Sequence, residues 1–362
     1  MSKNIEALDK NFVVATEIKE PDIRFYSAKD KPFAIYGLYN CLEEPVFKRM
    51  PTEIAEKVNS GVATLHLHTS GGRLRFATDS RYVAINAKMP SFSRAPHNAL
   101  TGTSSFDLYI DDPNGAPSRF FKPFIPPYDM KDGYESLVDL KTNKMRYITI
   151  NFPSYAQVSE LYIGLQKNAE LSEGLKYRDI KPIVYYGSSI TQGACTLRPG
   201  NIYQNIICRR NNIDYVNLGF SGSAKAEDIM VDYLRELDMS IFVLDYDHNA
   251  PNPEHLKNTH RRLYERFREV KPNVPFVMIS KADVYKNYED ALLRRDVIMA
   301  TYLYARSAGD QNVYFVDGMR IYPDAQYESC TVDHVHPTDL GMSFMADAIG
   351  TELNRILTRD NL

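Results

Sequence analysis

The stretch Ile183–Thr191, with the sequence IVYYGSSIT, decides the fold of the second half of this chain. Its first four residues form an apolar run of strand length, and Gly187 allows the backbone to turn sharply directly after that run. Ser189 then stands where an α/β enzyme exposes a nucleophile, just beyond the carboxyl end of a buried strand. A serine at a strand end is also common as a turn or helix-capping residue, so the stretch alone leaves both interpretations open.

Short apolar strands keep alternating with helical stretches from here towards the C-terminus. Further strands are predicted at Tyr215–Leu218, Ile241–Leu244, Val274–Ile279 and Val313–Val316, and helices near residues 201–212, 226–238, 253–270, 288–308 and 338–357. Alternation of this kind specifies a parallel sheet with helices on both faces. We therefore predict an α/β domain over residues 175–362, whose chemistry lies in the loops beyond the carboxyl ends of the strands.

The first half of the chain has a different period. Polar and apolar residues alternate at Ala63–Thr69, Arg73–Phe76, Arg81–Ala87 and Met145–Phe152. A further strand is predicted at Leu161–Leu165. Clusters of Gly, Pro, Asn and Asp separate these runs, and the clearest predicted loop is Asp111–Pro127. The pattern predicts an all-β sandwich or jelly roll over residues 1–174. Because no Gly/Ser-rich or Pro-rich linker follows it, we expect the sandwich to pack beside the second domain and to supply part of its pocket.

The composition excludes several classes of protein. The net charge is −3 and the isoelectric point about 6.3, so neither nucleic acid nor an anionic membrane is an expected partner. No apolar run approaches the length of a membrane span, and the start, MSKNIEALDKNF, does not resemble a signal peptide. The four cysteines are widely spaced, which argues against a disulfide framework or a zinc site. We predict a cytoplasmic protein without metal or cofactor, and leave a homo-oligomeric state open.

A second group of chemically active residues lies near the C-terminus, in Asp333-His334-Val335-His336-Pro337. A serine hydroxyl at neutral pH needs a base to take its proton, and the base needs a partner that fixes its tautomer. An Asp three residues before a His can reach the imidazole from the same loop. By itself the motif is also compatible with a solvated loop or half of a metal site, although no third ligand is apparent.

Taken in order, four sequence blocks resemble the SGNH, or GDSL-type, hydrolase superfamily. They are Gly187-Ser188-Ser189-Ile190, Asn217–Gly222, Asp245–Asn249 and Asp333–His336. The resemblance implies a flavodoxin-like catalytic domain. It also implies Ser189 as nucleophile, His336 as general base and then acid, and Asp333 as the residue that holds the imidazole. The implied oxyanion hole consists of the backbone N–H groups of Ser189 and Gly222 and the side-chain amide of Asn249.

The blocks depart from the family pattern at three positions. Ser188 stands where most members have Asp, and Asp247 and Ala250 replace the Gly and the last Asp of the third block. None of these positions supplies a triad or oxyanion side chain, so we expect activity to survive. We expect the changes to affect how the oxyanion loop is held. An α/β-hydrolase is excluded because its Gly-x-Ser-x-Gly elbow would need glycine at position 191, which is Thr191.

Two motifs in the first half, Gly71–Phe76 and Gly102–Tyr109, resemble the β-sandwich that precedes the catalytic domain in one bacterial branch of SGNH esterases. That branch looks like a group of carbohydrate-related acyl or acetyl esterases. It implies a serine esterase that cleaves short acyl esters, chiefly acetyl, of a small-molecule or oligosaccharide substrate through an acyl-enzyme. The alternatives are a carbohydrate-binding protein with a vestigial hydrolase domain, a thioesterase or lysophospholipase, and an acyltransferase.

Other candidate residues have simpler explanations beside the functional one. His66 and His68 share one face of a predicted strand and could bind a metal, but no companion ligand is evident. Cys195 could line the pocket or merely pack, and Arg198 could contact a polar substrate or solvent. We interpret Asp107 as structural.

Overall fold

The computed structural model describes residues 14–360. Residues 1–13 and 361–362 lie outside the described part, and so does the stretch MSKNIEALDKNF on which the prediction about a signal peptide rests. In chain order, the first half contains the strands β1 (Ile23–Ser27), β2 (Ala34–Tyr36), β3 (Arg73–Thr78), β4 (Tyr82–Lys88), β5 (Phe106–Asp111), β6 (Arg119–Phe124), β7 (Gly133–Asp139), β8 (Arg146–Asn151), β9 (Glu160–Gln166) and β10 (Leu171–Glu173). Its helices are α1 (Thr52–Val58), α2 (Ser60–Leu65) and α3 (Leu100–Thr103).

These strands form two antiparallel sheets that pack face to face. One sheet has the order β1-β9-β4-β7, and the other has the order β10-β3-β8-β5-β6 with β2 also paired to β3. Leu74 and Phe76 of β3 share one apolar core with Val83 and Ile85 of β4. Their spacing of two residues is what places each pair on the inner face of its strand. The predicted β-sandwich is confirmed.

The second half is a parallel α/β unit. Its strands are β11 (Ile183–Gly187), β12 (Tyr215–Gly219), β13 (Ile241–Asp245), β14 (Phe276–Ile279) and β15 (Val313–Val316), in the order β12-β11-β13-β14-β15. Its helices are α4 (Ser189–Gln192), α5 (Tyr203–Asn211), α6 (Asp228–Glu236), α7 (Pro253–Val270), α8 (Tyr288–Ser307) and α9 (Asp339–Arg359). This strand order is the flavodoxin-like one, as predicted, and it puts a topological switch point beside β11.

Successive residues of each strand face opposite layers of helices. Val184 and Phe242 belong to a core that includes residues of α6, α7 and α8. Ile183 and Val243, the immediate neighbours in sequence, belong to a second core with residues of α5 and α9. Because both faces of the sheet are covered, nearly every strand residue is apolar, which explains why the sequence shows continuous apolar runs here.

The strand predicted at Ala63–Thr69 is wrong. Residues 60–65 form α2, and its partner α1 packs with it against the hydrolase half rather than in the sandwich. The alternation of apolar and polar residues over 63–69 hid a helical spacing in which Val62, Leu65 and His66 stand at i, i+3 and i+4, with Val62 and His66 buried and Leu65 partly buried. The side chain of Asn59 caps α2 by accepting the N–H of Val62 at 2.9 Å, which separates the two helices.

The loop predicted over Asp111–Pro127 is also partly wrong, because it contains β6. This strand lies at the end of its sheet and pairs with β5. Proline lacks an N–H donor and is tolerated on such an edge, so Pro123 does not prevent the pairing. Most of the strand's side chains are exposed, and the pattern of one buried face that identifies other strands is therefore missing from the sequence.

The sandwich half and the hydrolase half are joined by the buried side chain of Arg49. Its guanidinium donates to the carbonyl oxygens of Leu65 and His68 on one side, at 2.6 and 2.7 Å. On the other side it donates to those of Asn217 and Gly219 at the end of β12, at 3.0 and 2.6 Å. Four hydrogen bonds to fixed carbonyls leave the two halves little freedom to move against each other.

A buried carboxylate, Asp245, ends β13. It accepts hydrogen bonds from the hydroxyls of Thr191 and Tyr203, each at 3.0 Å. Burial raises the pKa of Asp245 to about 6. The folded chain therefore binds this proton more tightly than the unfolded chain, and the group loses stabilising free energy as the pH rises through about 4 to 6.

No helix between residues 14 and 360 combines the length and the apolar character needed to span a bilayer.

We predict that residues 175–362 alone will not form a stable domain. Met50, Ala55 and Val62 complete the core beneath α6, and the fragment lacks them together with the donors of Arg49. Expressed alone, the fragment should be insoluble or should unfold without a cooperative transition. Co-expression with residues 1–174 should restore solubility. A soluble fragment with a sharp thermal transition followed by circular dichroism would contradict the prediction.

We also predict that Asp245→Asn changes the pH dependence of stability. Relative to the wild type, the free energy of unfolding of the variant should rise by about 3 kcal/mol between about pH 4 and pH 7, because an amide carries no buried charge. Urea titrations across this range measure the difference. The control is Asp238→Asn, at an exposed carboxylate whose pKa the Lys181 ammonium lowers. For this variant, the free energy of unfolding relative to the wild type should fall as the pH rises. If the free energy of unfolding of Asp245→Asn relative to the wild type stayed constant across this pH range, the buried charge would be refuted.

Candidate active site

Ser189 is the first residue of α4, directly after β11. Its side chain is 6% exposed, at the carboxyl edge of the sheet. The preceding residue, Ser188, is fully buried, and its hydroxyl caps α4 by accepting the N–H of Ile190 at 3.2 Å. Ser188 is thus committed to the helix N-terminus, a role that Asp, the usual residue of the family at this position, performs equally well. As the first helical residue, Ser189 has no intrahelical partner for its own N–H.

Polar groups from both halves of the chain hold α4 in place. All of these groups donate to carbonyl oxygens of α4. Tyr155 Oη donates to that of Ser189 at 3.2 Å, and Ser70 Oγ donates to that of Gln192 at 2.6 Å. The carbonyl oxygen of Thr191 accepts from Asn217 Nδ2 at 2.7 Å and from Gln204 Nε2 at 2.9 Å. Gly219 of β12 lies against the backbone of this helix so closely that any Cβ would clash with Thr191 and Gln192. The position of Ser189 is therefore set by more than its own turn.

The structure brings Ser189, His336 and Asp333 together. Ser189 Oγ lies 2.9 Å from His336 Nε2, and His336 Nδ1 lies 2.8 Å from Asp333 Oδ2. The loop is shaped by Asp333 Oδ1, which accepts the backbone N–H groups of Val335 and His336 at 3.1 and 2.8 Å. Directly beyond it, Thr338 caps α9.

Asp333 stays ionised over the whole neutral range. Its partial burial acts to raise its pKa, but the hydrogen bonds from the backbone N–H and the ring of His336 outweigh this and lower the pKa of Asp333 to about 2. A carboxylate at this distance accepts a hydrogen bond from Nδ1–H, which favours the tautomer whose unprotonated Nε2 faces Ser189. The chain of contacts can therefore draw a proton from the serine hydroxyl.

Gly222 lies in the loop that follows β12. Its φ of +67° is in the left-handed region, and a Cβ there would meet no atom within 4 Å, so glycine is needed for the backbone conformation and not for space. The neighbouring N–H of Ser221 is taken by Gln192 Oε1 at 3.0 Å. Among the hydrogen bonds of residues 14–360, none uses the N–H of Gly222.

Asn249 ends a short 3₁₀ turn, Asp247–Asn249, after β13. Its Nδ2 donates to the carbonyl oxygen of Phe220 at 2.7 Å, which ties this turn to the loop of Gly222. An amide nitrogen carries two hydrogens, so a second donor of Asn249 remains for a substrate oxygen.

Asp247 and Ala250, at which the third block departs from the family pattern, help to hold this turn. Arg294 of α8 donates to the carbonyl oxygens of Asp247 and Ala250 at 2.9 and 3.1 Å. Asp247 Oδ2 also accepts the N–H of Lys281 at 3.0 Å. The turn is thus fixed to α8 and to the end of β14, and the side chain that replaces the family's glycine is one of its anchors.

A buried ion pair supports the same turn from within. The imidazole of His248 contacts the carboxylate of Asp283, and both side chains are almost completely buried. Burial alone would lower the pKa of His248, but the charge of Asp283 outweighs it and raises that pKa. The pair therefore favours an imidazolium beside a carboxylate, one residue before Asn249.

The sandwich half reaches the site through His97, Asn98 and Tyr155. Asn98 Oδ1 accepts the backbone N–H of Cys195 at 2.6 Å, and the ring centroids of His97 and His336 are 5.6 Å apart. The thiol of Cys195 is near the same imidazole. Desolvation, together with the charge of Asp333, raises the pKa of Cys195 to about 12, so the free thiol is a poor nucleophile at neutral pH.

The remaining candidates from the sequence lie away from the reacting atoms or are engaged elsewhere. His334 is exposed, at φ +62°. Arg198 donates to Tyr109 Oη at 2.6 Å and stacks on a ring of β6, and buried Asp107 accepts the N–H of Gly200 at 2.9 Å. Both of these side chains join the sandwich to the hydrolase half.

His66 and His68, which the sequence left open as a possible metal pair, follow α2 instead of sharing a strand face. His66 Nε2 lies 3.0 Å from the hydroxyl of Thr52, and His68 Nδ1 lies 3.2 Å from Gln192 Nε2. Burial lowers the pKa of His68 to about 3. Each ring therefore has a structural partner, and His68 helps to hold α4.

Sequence reasoning missed His97, Asn98, Tyr155 and Arg294. The first three come from loops of the sandwich half and stand in none of the four blocks. The expectation that the sandwich contributes to the pocket pointed to that half of the chain without identifying the residues. Nothing in the sequence around Arg294 marks it, since an arginine in a helix is usually solvated.

Comparisons with known proteins agree with this fold. A profile of the GDSL-like lipase/acylhydrolase family matches residues 180–354, and a profile for the N-terminus of SGNH hydrolase-type esterases matches residues 23–171. No curated protein sequence gave a significant match.

Among solved structures, a GDSL-like lipase from Bacteroides ovatus superposes with a TM-score of 0.83 at 25% identity, over 93% of this chain and 98% of that one. The salicylyl-acyltransferase SsfX3 of a tetracycline biosynthetic pathway gives 0.75 at 20% identity, over 93% and 98%. A family two carbohydrate esterase from Clostridium thermocellum, in complex with cellohexaose, gives 0.61 at 13% identity, over 90% and 99%.

The parallel sheet with its serine after the first strand, the preceding sandwich and the two matching profiles lead to one conclusion. The chain is an esterase of the SGNH (GDSL-type) hydrolase superfamily and belongs to the two-domain branch whose members carry a β-sandwich at the N-terminus.

Proposed function

We propose that this protein hydrolyses short-chain acyl esters, chiefly acetyl esters, of a carbohydrate through a covalent acyl-serine. The observation that carries the proposal is the continuous hydrogen-bonded chain from Ser189 Oγ through His336 to Asp333, with donor–acceptor distances of 2.9 and 2.8 Å. Nucleophile, base and orienting carboxylate stand in the order that acyl transfer requires.

In the first half of the reaction, Ser189 Oγ attacks the ester carbonyl carbon while His336 Nε2 takes the hydroxyl proton. The carbonyl oxygen becomes an oxyanion, which the N–H groups of Ser189 and Gly222 and the amide of Asn249 are placed to receive. His336 then gives the proton to the departing alcohol oxygen as the carbon–oxygen bond breaks. A water molecule, deprotonated by His336, releases the acid and regenerates the serine hydroxyl.

The surroundings of Ser189 support a short acyl group. Tyr155, Ala194 and Cys195 form a small separate apolar cluster beside the nucleophile. The hydroxyl of Tyr155 and the N–H of Ala194 both donate to the carbonyl oxygen of Ser189, at 3.2 and 2.9 Å. All three side chains are almost completely buried, so they expose little apolar area to a long acyl chain, whereas a methyl group needs little.

The carbohydrate part of the proposal rests on the wider comparison. Structures that share this two-domain fold include family two carbohydrate esterases, which makes acetylated sugars the first substrates to test. We keep the small-molecule or oligosaccharide ester as the proposed partner and the cytoplasm as the proposed location. The four buried cysteines are free thiols, in agreement with a reducing compartment.

The experiment that tests the proposal is mass spectrometry of acetylated oligosaccharides after incubation with the protein. Loss of acetyl groups in water supports hydrolysis. Appearance of an acetylated acceptor, when a second sugar or a simple alcohol is added, would instead show an acyltransferase. A series of p-nitrophenyl esters should give falling kcat/KM with increasing chain length, and a preference for octanoate over acetate would refute the short acyl pocket.

Ser189→Ala should lower kcat by about 10³-fold or more on p-nitrophenyl acetate while the thermal unfolding temperature stays near that of the wild type. The matched variant is Ser188→Ala, which removes the cap of α4 at a cost of about 1 kcal/mol in stability. It should keep its rate within about tenfold of the wild type. If the two variants exchanged these effects, Ser188 and not Ser189 would be the nucleophile.

Asn249→Ala should lower kcat by about 10²-fold with little change in KM, because its second amide hydrogen is expected to bond the oxyanion more strongly than the ground-state carbonyl. Steady-state kinetics on one acetate ester measure both constants. Asn258→Ala, at a neighbouring asparagine on α7 that contacts Glu254, serves as the control. An effect of Asn249→Ala confined to KM would assign this residue to substrate positioning.

A further inference from the structure

Three potential metal ligands converge at the mouth of the active site. They are His97 of the sandwich half, Cys195 of the loop after α4, and His336, and their donor atoms all lie within 4.8 Å of one another. In a tetrahedral zinc site, bond lengths of about 2.0–2.3 Å place donor atoms about 3.3–3.6 Å apart. A side-chain rotation that moves each donor by less than about 1 Å would therefore close the cluster around one ion.

The backbone holds Cys195 in an unusual conformation that directs it to this place. Its φ is +64°, in the left-handed region that residues other than glycine rarely adopt. The N–H of Cys195 is bound by Asn98 Oδ1 at 2.6 Å, and Asn98 is the residue next to His97. One loop of the sandwich thus supplies one potential ligand and fixes the backbone of a second.

We propose that His97, Cys195 and His336 form a binding site for Zn²⁺ or a similar thiophilic divalent ion, and that its occupation reversibly stops the enzyme. The inhibitory part rests on the proposed function, in which His336 is the general base. The binding part does not, because it requires only that the three side chains share one ion.

The hydrogen bonds of His336 determine how the ion inhibits. Nδ1 is engaged with Asp333, so the ion must take Nε2, the atom that otherwise faces Ser189 Oγ. Asp333 then becomes the outer carboxylate that orients a metal-bound imidazole, an arrangement that strengthens the ligand. Ser189 loses its base for as long as the ion is bound.

The donor set also determines which ion is preferred. A thiolate and two neutral imidazoles suit Zn²⁺, whereas Mg²⁺ and Ca²⁺ prefer oxygen ligands. On binding, the thiol of Cys195 releases its proton to solvent and the sulfur donates its electron pair to the metal. Three protein ligands leave the fourth tetrahedral position for water. No electron is transferred, and the only protein bond that breaks is the S–H bond of Cys195, which forms again with a proton from solvent when a chelator removes the ion.

The test uses the full chain, freed of metal with a chelator and desalted. Zn²⁺ is titrated in a metal buffer while three quantities are followed: bound zinc by elemental mass spectrometry, hydrolysis of p-nitrophenyl acetate, and, with Co²⁺ in its place, the thiolate-to-cobalt absorption band. We expect one ion per chain, loss of activity in proportion to occupation, a cobalt–thiolate band, and full recovery with EDTA. Mg²⁺ should do none of these.

The variants that locate the site are Cys195→Ser and His97→Asn, each compared with its own metal-free rate. Both should raise the zinc concentration for half-inhibition at least about tenfold, and Cys195→Ser should abolish the cobalt–thiolate band. Cys41→Ser and His334→Asn, which change the same residue types outside the cluster, should leave both readouts as in the wild type. Unchanged inhibition in Cys195→Ser and His97→Asn, or absence of stoichiometric zinc, would overturn the proposal.

The two proposals fail in different ways. If the protein cleaves no ester, the proposed function falls, and the stoichiometry and the cobalt band still decide whether the site exists. If one ion binds through Cys195 and His97 while hydrolysis continues unchanged, the site stands as a binding site and the inhibitory part is refuted.

Discussion

The buried guanidinium of Arg49 is the interaction on which the arrangement of the two halves depends. Among the described residues it has no carboxylate partner; its charge faces four carbonyl oxygens and the ring of Phe220, 4.7 Å away. Burial lowers the pKa of Arg49 to about 9, which still leaves it charged at neutral pH. A buried charge without these acceptors would be very costly. The carbonyls come from both halves, so the charge is tolerated only when the halves are docked, and docking fixes the start of the loop that carries Gly222.

The parts of the site that the sequence revealed are those encoded locally. Ser189 follows its own strand, Asp333 reaches His336 within one loop, and Gly222 and Asn249 each come directly after a strand of the predicted sheet. Parallel strands end at one edge of their sheet, so predicting the sheet also predicted that these loops would meet. The β-sandwich followed from apolar periodicity in the same way, whereas the flavodoxin-like strand order was implied by the resemblance to the SGNH superfamily.

What the sequence could not reveal depends on contacts between distant segments. The position of His97 beside His336 requires the docking of two domains, and no local pattern reports docking. The end of α2 was mistaken for the start of a strand because the short run 63–69 fits both periods, and the hydrolase core against which Val62 packs selected the helix. The edge strand β6 lacked the one-sided burial that makes strands visible. In each case tertiary context overrode an ambiguous local signal.

The packing of α1 and α2 on the hydrolase core has a consequence for synthesis on the ribosome. The sandwich has all its strands once β10 has emerged at Glu173, yet Met50, Ala55 and Val62 still face water at that moment. Their partners on β12 and α6 are translated only afterwards, up to Glu236. Domains generally fold as they emerge, and exposed apolar surface in such intermediates promotes aggregation. The nascent sandwich therefore carries an uncovered apolar face through several seconds of elongation at about 5–20 residues per second, an interval in which a chaperone would have a defined surface to bind.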